Sequence, residues 1–181
     1  MTQVVKSKRD IKEYESIFHI EVAAGYGMFG KLFYKECILS DKDEECYNNN
    51  LNIDLLCDAM RIPFNNDRFN IIILCNPYNF GFMDIEEGIF LLKEFIRIIK
   101  DKGKILIIGN SKWNPWCNIE RIMEIIEQLK AQDSLNLGIE IDKVDNNSFN
   151  PKKEYNNYIF LQTGGIKETR PDMRLTIHVT K

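Results

Sequence analysis

The stretch I-F-H-I-E-V-A-A-G-Y-G-M-F-G at residues 17–30 decides how the fold begins. Its first half is mostly apolar and predicts a buried β-strand that ends just after Glu21. Three glycines follow closely: Gly25, Gly27 and Gly30. A glycine turn that leads into a helix exposes backbone N–H groups, and this corner therefore predicts a binding site for a nucleotide-like ligand.

The glycine spacing also matches the dinucleotide fingerprint Gly-x-Gly-x-x-Gly. That fingerprint needs an acidic residue about 20 positions further on to bind the ribose hydroxyls. The next acid at a predicted strand end is Asp41, which lies only sixteen positions after Gly25 but twenty after Glu21. The separation of sixteen positions from Gly25 is short for a dinucleotide-binding unit. An NAD-dependent oxidoreductase is therefore the weaker alternative at this turn.

The pattern E-V-A-A-G-Y-G at 21–27 resembles motif I of the class I S-adenosylmethionine (SAM) methyltransferases, which reads acid-x-Gly-x-Gly-x-Gly. The resemblance implies that five residues of the turn bind the cofactor: Glu21, Ala23, Gly25, Tyr26 and Gly27. It also implies that Asp41, at the end of the second strand, binds the ribose. Ala23 replaces the first glycine of the motif. Its methyl group is tolerated if Ala23 keeps a negative φ, but it narrows the space beside the methionine part of SAM.

A second segment, at residues 52–74, is more specific than the glycine turn. It is similar to the family's run Asp-Ala-x-x-Leu-Pro-Phe-x-x-x-x-Phe-Asp, which precedes an apolar strand. The resemblance implies that Asp58 accepts a hydrogen bond from the adenine amino group and that the Ala59 N–H binds a ring nitrogen. A third segment, at residues 95–108, is similar to the family's helix end, glycine turn and fifth strand. The three segments follow one another in the family's order.

Residues 74–82, L-C-N-P-Y-N-F-G-F, follow the predicted fourth strand, at the sheet edge where ligands of open α/β folds bind. The segment is similar to the Asn-Pro-Pro-Tyr motif of amino-group methyltransferases, with one proline missing. That similarity implies that Asn76 and Tyr78 orient a planar amine acceptor, and that Asn76 also lies at the cofactor. The alternative is a turn in which Pro77 sets φ and the aromatic side chains pack locally.

Structural roles compete with binding at the three glycines and at two of the acids. Gly25, Gly27 and Gly30 can instead serve only tight packing between strand and helix. Asp41 can instead cap the following helix, in which case Asp43 is the spare candidate for the ribose. Asp58 can instead close a tight turn. No general base is evident, and the two histidines, His19 and His178, lie too far apart in the chain to predict a metal site or a Ser-His-Asp triad.

The composition fits one domain of an ordinary globular protein. The 181 residues suffice for one hydrophobic core, and 44% hydrophobic with 28% charged residues is a typical balance. A net charge of −3 gives no general attraction to nucleic acid. Five scattered cysteines indicate a reducing compartment, and neither a membrane span nor a signal peptide is evident. We therefore expect a cytoplasmic protein without a membrane partner.

Alternating strand and helix patterns predict a three-layer α-β-α Rossmann-like fold, in which residues 1–181 form one domain around a mostly parallel sheet. Residues 1–16 are a short N-terminal extension. We expect strands at about 17–23, 36–41, 52–57, 70–75, 104–109, 137–144, 156–163 and 173–180. About seven of these form the sheet. Loops too short for crossover helices join the C-terminal strands, which are expected to be antiparallel to their sequence neighbours.

Three further features of the pattern give local expectations. The clearest helix begins at Asp84 and ends at a glycine stop, Gly103, after lysines in its last turn. A second helix begins at Asn118 as its N-cap. The last strand, 173–180, alternates cleanly between apolar and polar residues, which is typical of a half-solvated edge strand.

The resemblance as a whole implies a SAM-dependent methyltransferase that produces S-adenosylhomocysteine (SAH) and requires no metal. The acceptor is not identified by the sequence. Because the extension 1–16 is short, the pocket is expected to be open. An open pocket fits a macromolecular acceptor, a lid from a second copy of the chain, or a module of a larger protein. The alternative is a catalytically silent SAM-binding module, suggested by Ala23 and by the missing base.

Overall fold

The computed structural model describes residues 5–25, 27, 29–34, 36–75, 82–109, 119–133, 135–144 and 172–181. The strands are β1 (Lys6–Ser7), β2 (His19–Glu21), β3 (Ile38–Asp41), β4 (Leu55–Leu56), β5 (Phe69–Cys75), β6 (Ile99–Gly109), β7 (Asn136–Lys143) and β8 (Met173–Thr180). The α-helices are α1 (Phe29–Phe33), α2 (Glu44–Asn49), α3 (Ile85–Ile98) and α4 (Ile119–Asp133). A 3₁₀ turn spans Ile11–Tyr14.

All described strands belong to one sheet, in the order β1-β4-β3-β2-β5-β6-β8-β7. The five strands from β4 to β6 are parallel to one another. β1 is antiparallel to β4, and β8 is antiparallel to both β6 and β7. The chain moves outward from β2 to β4 and then returns to β5 on the other side of β2. In open α/β sheets, ligands bind at such a switch point, beyond the carboxyl ends of the strands.

Two clusters of buried side chains cover the two faces of the sheet. Consecutive residues of β5 alternate between them: Ile72 and Leu74 belong to the cluster that contains α3 and α4, whereas Ile73 belongs to the cluster that contains Phe29 and Tyr47 of α1 and α2. This alternation is required because successive side chains of a strand point to opposite faces. The predicted three-layer, mostly parallel α/β fold is thereby confirmed.

The N-terminal extension takes part in the fold, although its sequence predicted no element. Lys6 and Ser7 pair with Leu56 and Leu55 and so extend the sheet beyond β4. In the 3₁₀ turn that follows, the Tyr14 side chain is only 1% exposed. The strand predicted at 156–163 and the N-cap predicted at Asn118 lie outside the described residues.

The prediction that 173–180 is an edge strand was wrong. β8 forms hydrogen-bonded pairs with β6 on one side and with β7 on the other, so β7 is the edge strand of the described sheet. Leu175, Ile177 and Val179 are fully buried, which explains the alternation in the sequence. Such alternation reports which face of a strand is covered, and it carries no information on how many neighbours the strand has within the sheet.

Helix α3 begins as predicted, since the Asp84 side chain accepts the Glu87 N–H at 3.0 Å. Its predicted end at Gly103 was wrong, because the helix stops at Ile98 and β6 already begins at Ile99. The left-handed backbone in this region is at Lys102, with φ 61°. Gly103 is needed for a different reason: a Cβ on it would lie 2.4 Å from Cγ1 of Ile99.

None of the helices among the described residues has the length and apolar character that crossing a membrane would require.

Replacement of Gly103 tests how closely this residue approaches Ile99. Gly103→Ala should lower the free energy of unfolding by about 1–3 kcal/mol, because the new methyl group overlaps Ile99 and lies 2.9 Å from the Lys100 carbonyl oxygen. Urea denaturation followed by circular dichroism measures the change. Gly138→Ala in β7 is the matched control, since its Cβ would lie 3.6 Å from His178 Cβ, an ordinary contact. Equal effects of the two substitutions would contradict the steric explanation.

Candidate functional site

The structure brings three of the sequence-predicted acids to one edge of the sheet. Glu21 is the last residue of β2 and Asp41 is the last residue of β3. Asp58 follows β4 by two positions. Because β2, β3 and β4 are parallel neighbours, their carboxyl ends lie side by side. This edge is the one at which ligands of open α/β sheets bind.

The turn after β2 has two residues in the left-handed region, Ala23 with φ 54° and Gly25 with φ 55°. The condition that Ala23 keeps a negative φ is therefore not met. The turn keeps a backbone conformation that suits glycine, and the alanine adopts it at a steric cost. The Ala24 N–H donates to the Ser40 carbonyl at 3.0 Å, and the Gly27 N–H donates to the Ala24 carbonyl at 2.7 Å. The turn is thus held against β3.

Asp41 binds this turn directly. Its Oδ2 accepts the Gly25 N–H at 2.7 Å, and its Oδ1 accepts the Asp43 N–H at 2.8 Å. The residue is 8% exposed. The alternative in which Asp41 caps the next helix was wrong, because the cap of α2 is Asp43, whose side chain accepts the N–H groups of Glu45 and Cys46. Asp43 is therefore committed to the helix, and Asp41 is the acid beside the turn.

Glu21 lies beneath the start of α1 and is 1% exposed. Its Oε2 accepts the Gly30 N–H at 2.6 Å. A Cβ on Gly30 would lie 2.4 Å from Cys37 Sγ and 3.1 Å from Glu21 Oε2, so this third glycine is required for close packing. Burial raises the pKa of Glu21 to about 8, against the lowering effects of the Gly30 N–H and of Lys31. The predicted contact of Glu21 with the methionine end of SAM stays a prediction.

Asn50 is a residue of this site that the sequence analysis missed. It is 5% exposed, and its Nδ2 donates to the carbonyl oxygens of Gly25 at 3.1 Å and Gly27 at 3.2 Å. Its Oδ1 accepts the Asn52 N–H at 3.0 Å. Asn50 thereby satisfies two carbonyl groups of the turn from the end of α2. It stands in a run of three asparagines, and no local pattern distinguishes it from the other two.

Asp58 and Ala59 form the start of the loop after β4. The exposed Asp58 closes a turn, because its Oδ1 accepts the Met60 N–H at 3.0 Å and its carbonyl accepts the Arg61 N–H at 3.0 Å. Ala59 is buried. Asp58 therefore closes a tight turn, which was the structural alternative to ligand binding. The two roles are compatible, because Asp58 is exposed to solvent.

The remaining predicted site residues, Tyr26, Asn76 and Tyr78, lie outside the described residues, and their roles stay predictions. β5 ends at Cys75, which pairs with Ile108 of β6. The segment that holds Asn76 and Tyr78 therefore begins next to the edge that carries Glu21 and Asp41. Among the described residues no group of three or more His, Cys, Asp or Glu side chains is arranged to hold a metal ion.

Two cavities of about 460 Å³ each lie away from these acids. One lies at the amino ends of the strands, beside Phe18, Arg68 and Lys100. The other lies between the loop after β4 and helix α3, beside Met60 and Phe90. Neither is lined by Glu21, Asp41 or Asp58. The conserved position of ligands in open α/β sheets is a stronger guide than cavity size, and it indicates the edge with the three acids.

No protein-family model and no curated protein matches this sequence. Solved structures do match the fold. A SAM-dependent methyltransferase from Archaeoglobus fulgidus is 14% identical with a TM-score of 0.55, over 94% of this chain and 89% of that one. The N-methyltransferase NodS from Bradyrhizobium japonicum is 10% identical with a TM-score of 0.53, over 91% and 86% of the two chains.

A third similar structure is the geranyl diphosphate C-methyltransferase from Streptomyces coelicolor, which was crystallised with Mg²⁺, geranyl diphosphate and SAH. It is 13% identical with a TM-score of 0.50, over 93% of this chain and 76% of that one. The chain therefore has the fold of the class I SAM-dependent methyltransferases. The fold predicted from the three sequence segments is confirmed.

The left-handed conformation of Ala23 predicts a stabilising substitution. Ala23→Gly should raise the free energy of unfolding by about 0.5–1 kcal/mol, because relief of the steric cost exceeds the entropy that glycine adds to the unfolded chain. Chemical denaturation of both proteins measures the difference. Ala24→Gly is the control: this neighbour is 7% exposed and has no positive φ, so its substitution should destabilise the protein. A loss of stability in Ala23→Gly would contradict the observed turn.

The raised pKa of Glu21 predicts how stability depends on pH. Between the ordinary value of about 4.3 and the folded value of about 8, the folded state binds more protons than the unfolded state. The free energy of unfolding therefore falls as pH rises through this window and levels off above it. Glu21→Gln keeps an oxygen for the Gly30 N–H but lacks the titration.

The stability advantage of Glu21→Gln over the original protein should consequently grow from about pH 5 to about pH 8. Urea denaturation of the two proteins at several pH values across this range measures it. The exposed Glu15→Gln serves as a control and should show no such growth. A constant difference between Glu21→Gln and the original protein would mean that Glu21 titrates like an exposed carboxyl group.

Proposed function

We propose that this protein is a SAM-dependent methyltransferase whose cofactor binds at the edge formed by Glu21, Asp41 and Asp58. One observation carries the proposal: the carboxylate of Asp41, at the end of β3, lies against the Gly25 N–H of the turn after β2. A carboxylate at this position accepts hydrogen bonds from ribose hydroxyls while the turn accommodates the rest of the ligand against its backbone.

The space beside the turn fits a ligand of this kind. A Cβ placed on Gly25 would meet no atom of the described residues within 4 Å, so this part of the structure leaves the turn open on that side. The Cys57 N–H donates to the Asp41 carbonyl at 2.9 Å, which places the loop with Asp58 directly beside the proposed ribose site. The two acids are therefore adjacent, as sugar and base are in an adenosine. We propose that Asp58 accepts a hydrogen bond from the adenine amino group and that the Ala59 N–H binds a ring nitrogen.

The cofactor supplies a methyl group on a sulfonium, which is already an activated electrophile. The chain must bind it, exclude water and align an acceptor with it, and such placement accounts for much of the rate of a transfer reaction. We propose that Asn76 and Tyr78 orient a planar amine, presented by a small molecule or by a macromolecule. The place of this segment directly after β5, whose end lies at the same sheet edge, supports that role.

A catalytically silent SAM-binding module is the second candidate. It is favoured by Ala23, which adopts φ 54° where the related motif has glycine and places a methyl group at the turn. An NAD-dependent oxidoreductase is less well supported, because Asp41 lies too few positions after Gly25. The SAM-dependent similar structures, one of them with SAH bound, favour the first two candidates over the third. The odd number of scattered cysteines supports a cytoplasmic site of action.

Calorimetry with SAH and with NAD tests the cofactor. The protein should bind SAH, and Asp41→Asn should weaken that binding by about 1–3 kcal/mol, because the neutral amide is a poorer partner for two ribose hydroxyls. Asp43→Asn is the matched control and should leave the affinity unchanged, since asparagine is also a good N-cap. If Asp41→Asn binds SAH as well as the original protein, the ribose does not contact Asp41. If the protein binds NAD but not SAH, the NAD-dependent oxidoreductase becomes the better supported candidate.

Methyl transfer from radiolabelled SAM to a fractionated cell lysate tests catalysis. With the original protein, label should enter one fraction, and it should be lost with Asp41→Asn. Sensitivity of the labelled material to protease or to ribonuclease then assigns the acceptor to protein or RNA, and resistance to both assigns it to small molecules. Binding of SAH without transfer to any fraction would favour the silent module.

A further inference from the structure

Five hydrogen bonds converge on the guanidinium group of Arg97, in the last turn of α3. Two of them bind the carboxylate of Glu94, from Nε to Oε2 and from Nη2 to Oε1, both at 2.7 Å. The other three reach the loop after β4: Nη1 donates to the Phe64 carbonyl at 2.8 Å and to Asn66 Oδ1 at 3.0 Å, and Nη2 donates to the Ile62 carbonyl at 2.9 Å. The hydrogen bonds with Glu94 raise the pKa of Arg97.

Glu94 completes this arrangement from the other side. Its Oε1 accepts the backbone N–H of Ile62 at 2.6 Å, so that the N–H and the C=O of one loop residue are both bound by the pair. The Glu94 side chain is only 11% exposed. Ile62 is buried as well, and its N–H would lack a partner if the pair were removed. An unsatisfied buried N–H costs more than the hydrogen bond itself contributes.

The loop that carries Asp58 is thus held at both ends. At its beginning, the Cys57 N–H binds the Asp41 carbonyl of β3. At its end, Ile62 and Phe64 are bound by α3 through Arg97 and Glu94. Between these anchors the chain makes one turn, from the Asp58 carbonyl to the Arg61 N–H. The course of this loop therefore depends in part on α3, which is separated from β4 in the chain by the whole of β5.

An ordinary helix-surface ion pair does not have these properties. Glu127 and Lys130 on α4 are also spaced i,i+3, and their side chains contact at 2.8 Å. Glu127 is 62% exposed, against 11% for Glu94. The described contacts of Lys130 include no loop carbonyl. Exposed pairs of this type contribute little to structure, so Glu127 and Lys130 provide a matched comparison for the pair on α3.

We propose that Arg97 and Glu94 are positioning residues that determine which purine base the cofactor site accepts. By holding the loop, they place the Asp58 carboxylate where it can accept an amino group at the adenine 6-position. A base with a carbonyl oxygen at that position would face the carboxylate and be repelled. The inference rests on the proposed function, because it assumes that SAM binds at this edge.

The test compares the affinities of SAH and S-inosylhomocysteine, in which a carbonyl oxygen replaces the 6-amino group of the base and the ring nitrogen N1 carries a proton. The original protein should prefer SAH at least about tenfold, the factor that 1.4 kcal/mol gives. Arg97→Met, which keeps the aliphatic stem, should reduce the ratio of the two affinities toward one. Arg97→Lys, with three donors in place of five, should be intermediate. Lys130→Met should leave it unchanged.

The ratio of the two affinities separates positioning from a general loss of folded protein, because unfolding lowers both affinities by the same factor. An unchanged ratio in Arg97→Met overturns the inference even if both affinities fall. A lack of discrimination in the original protein also overturns it, while its binding of SAH leaves the proposed function in place.

Hydrogen exchange gives a readout that needs no ligand. Amides of residues 58–66 should exchange faster in Arg97→Met than in the original protein, while those of α4 should not change. If the original protein fails to bind SAH, the proposed function falls, and the role of the pair in base selection falls with it. Unchanged exchange at 58–66 would show that Arg97 does not hold the loop. If Arg97→Met does not fold, Glu94→Gln provides the same comparison.

Discussion

The edge of the sheet that carries Glu21, Asp41 and Asp58 depends on two buried carboxyl groups that accept backbone N–H groups. Asp41 accepts the Gly25 N–H in the turn after β2, and Glu21 accepts the Gly30 N–H at the start of α1. Each bond connects a strand end to the glycine segment that follows β2. Without them, the N–H groups of Gly25 and Gly30 would lose the acceptors that they have among the described residues. Both acids therefore have a structural role in addition to any contact with a ligand.

The same bonds explain why the region tolerates an alanine at a left-handed position. Ala23 is surrounded by fixed contacts, since Ala24 is bonded to Ser40, Gly25 to Asp41, and Asn50 binds the Gly25 and Gly27 carbonyls. These contacts over-determine the turn, so that a single unfavourable φ does not change its course. A backbone prepared in this way is suited to binding a ligand through its N–H groups, because little ordering remains to be done on binding.

Two glycines are required because neighbouring segments approach them closely. At Gly30 the packing role that competed with ligand binding is realised, since Cys37 and Glu21 leave no room for a side chain. Gly103 was expected to stop a helix and instead lies against Ile99 within β6. At Gly103 the residue type was informative and the expected reason was wrong. Glycine is required wherever two segments approach closely, and the sequence does not show which segments these are.

The amino-acid sequence by itself determined the class of fold, the strand β2 that leads into the glycine turn, and the three acids Glu21, Asp41 and Asp58 at the carboxyl ends of β2, β3 and β4. Those features are local, since they follow from apolar periodicity and from the spacing of glycines and acids. Only the tertiary structure decided that β8 lies inside the sheet, that Asn50 binds the turn and that Arg97 holds the loop after β4. Asn50 reaches across 25 positions to Gly25, and Arg97 across 35 positions to Ile62. Contacts over such separations depend on how the sheet and its helices pack, and no local pattern encodes them.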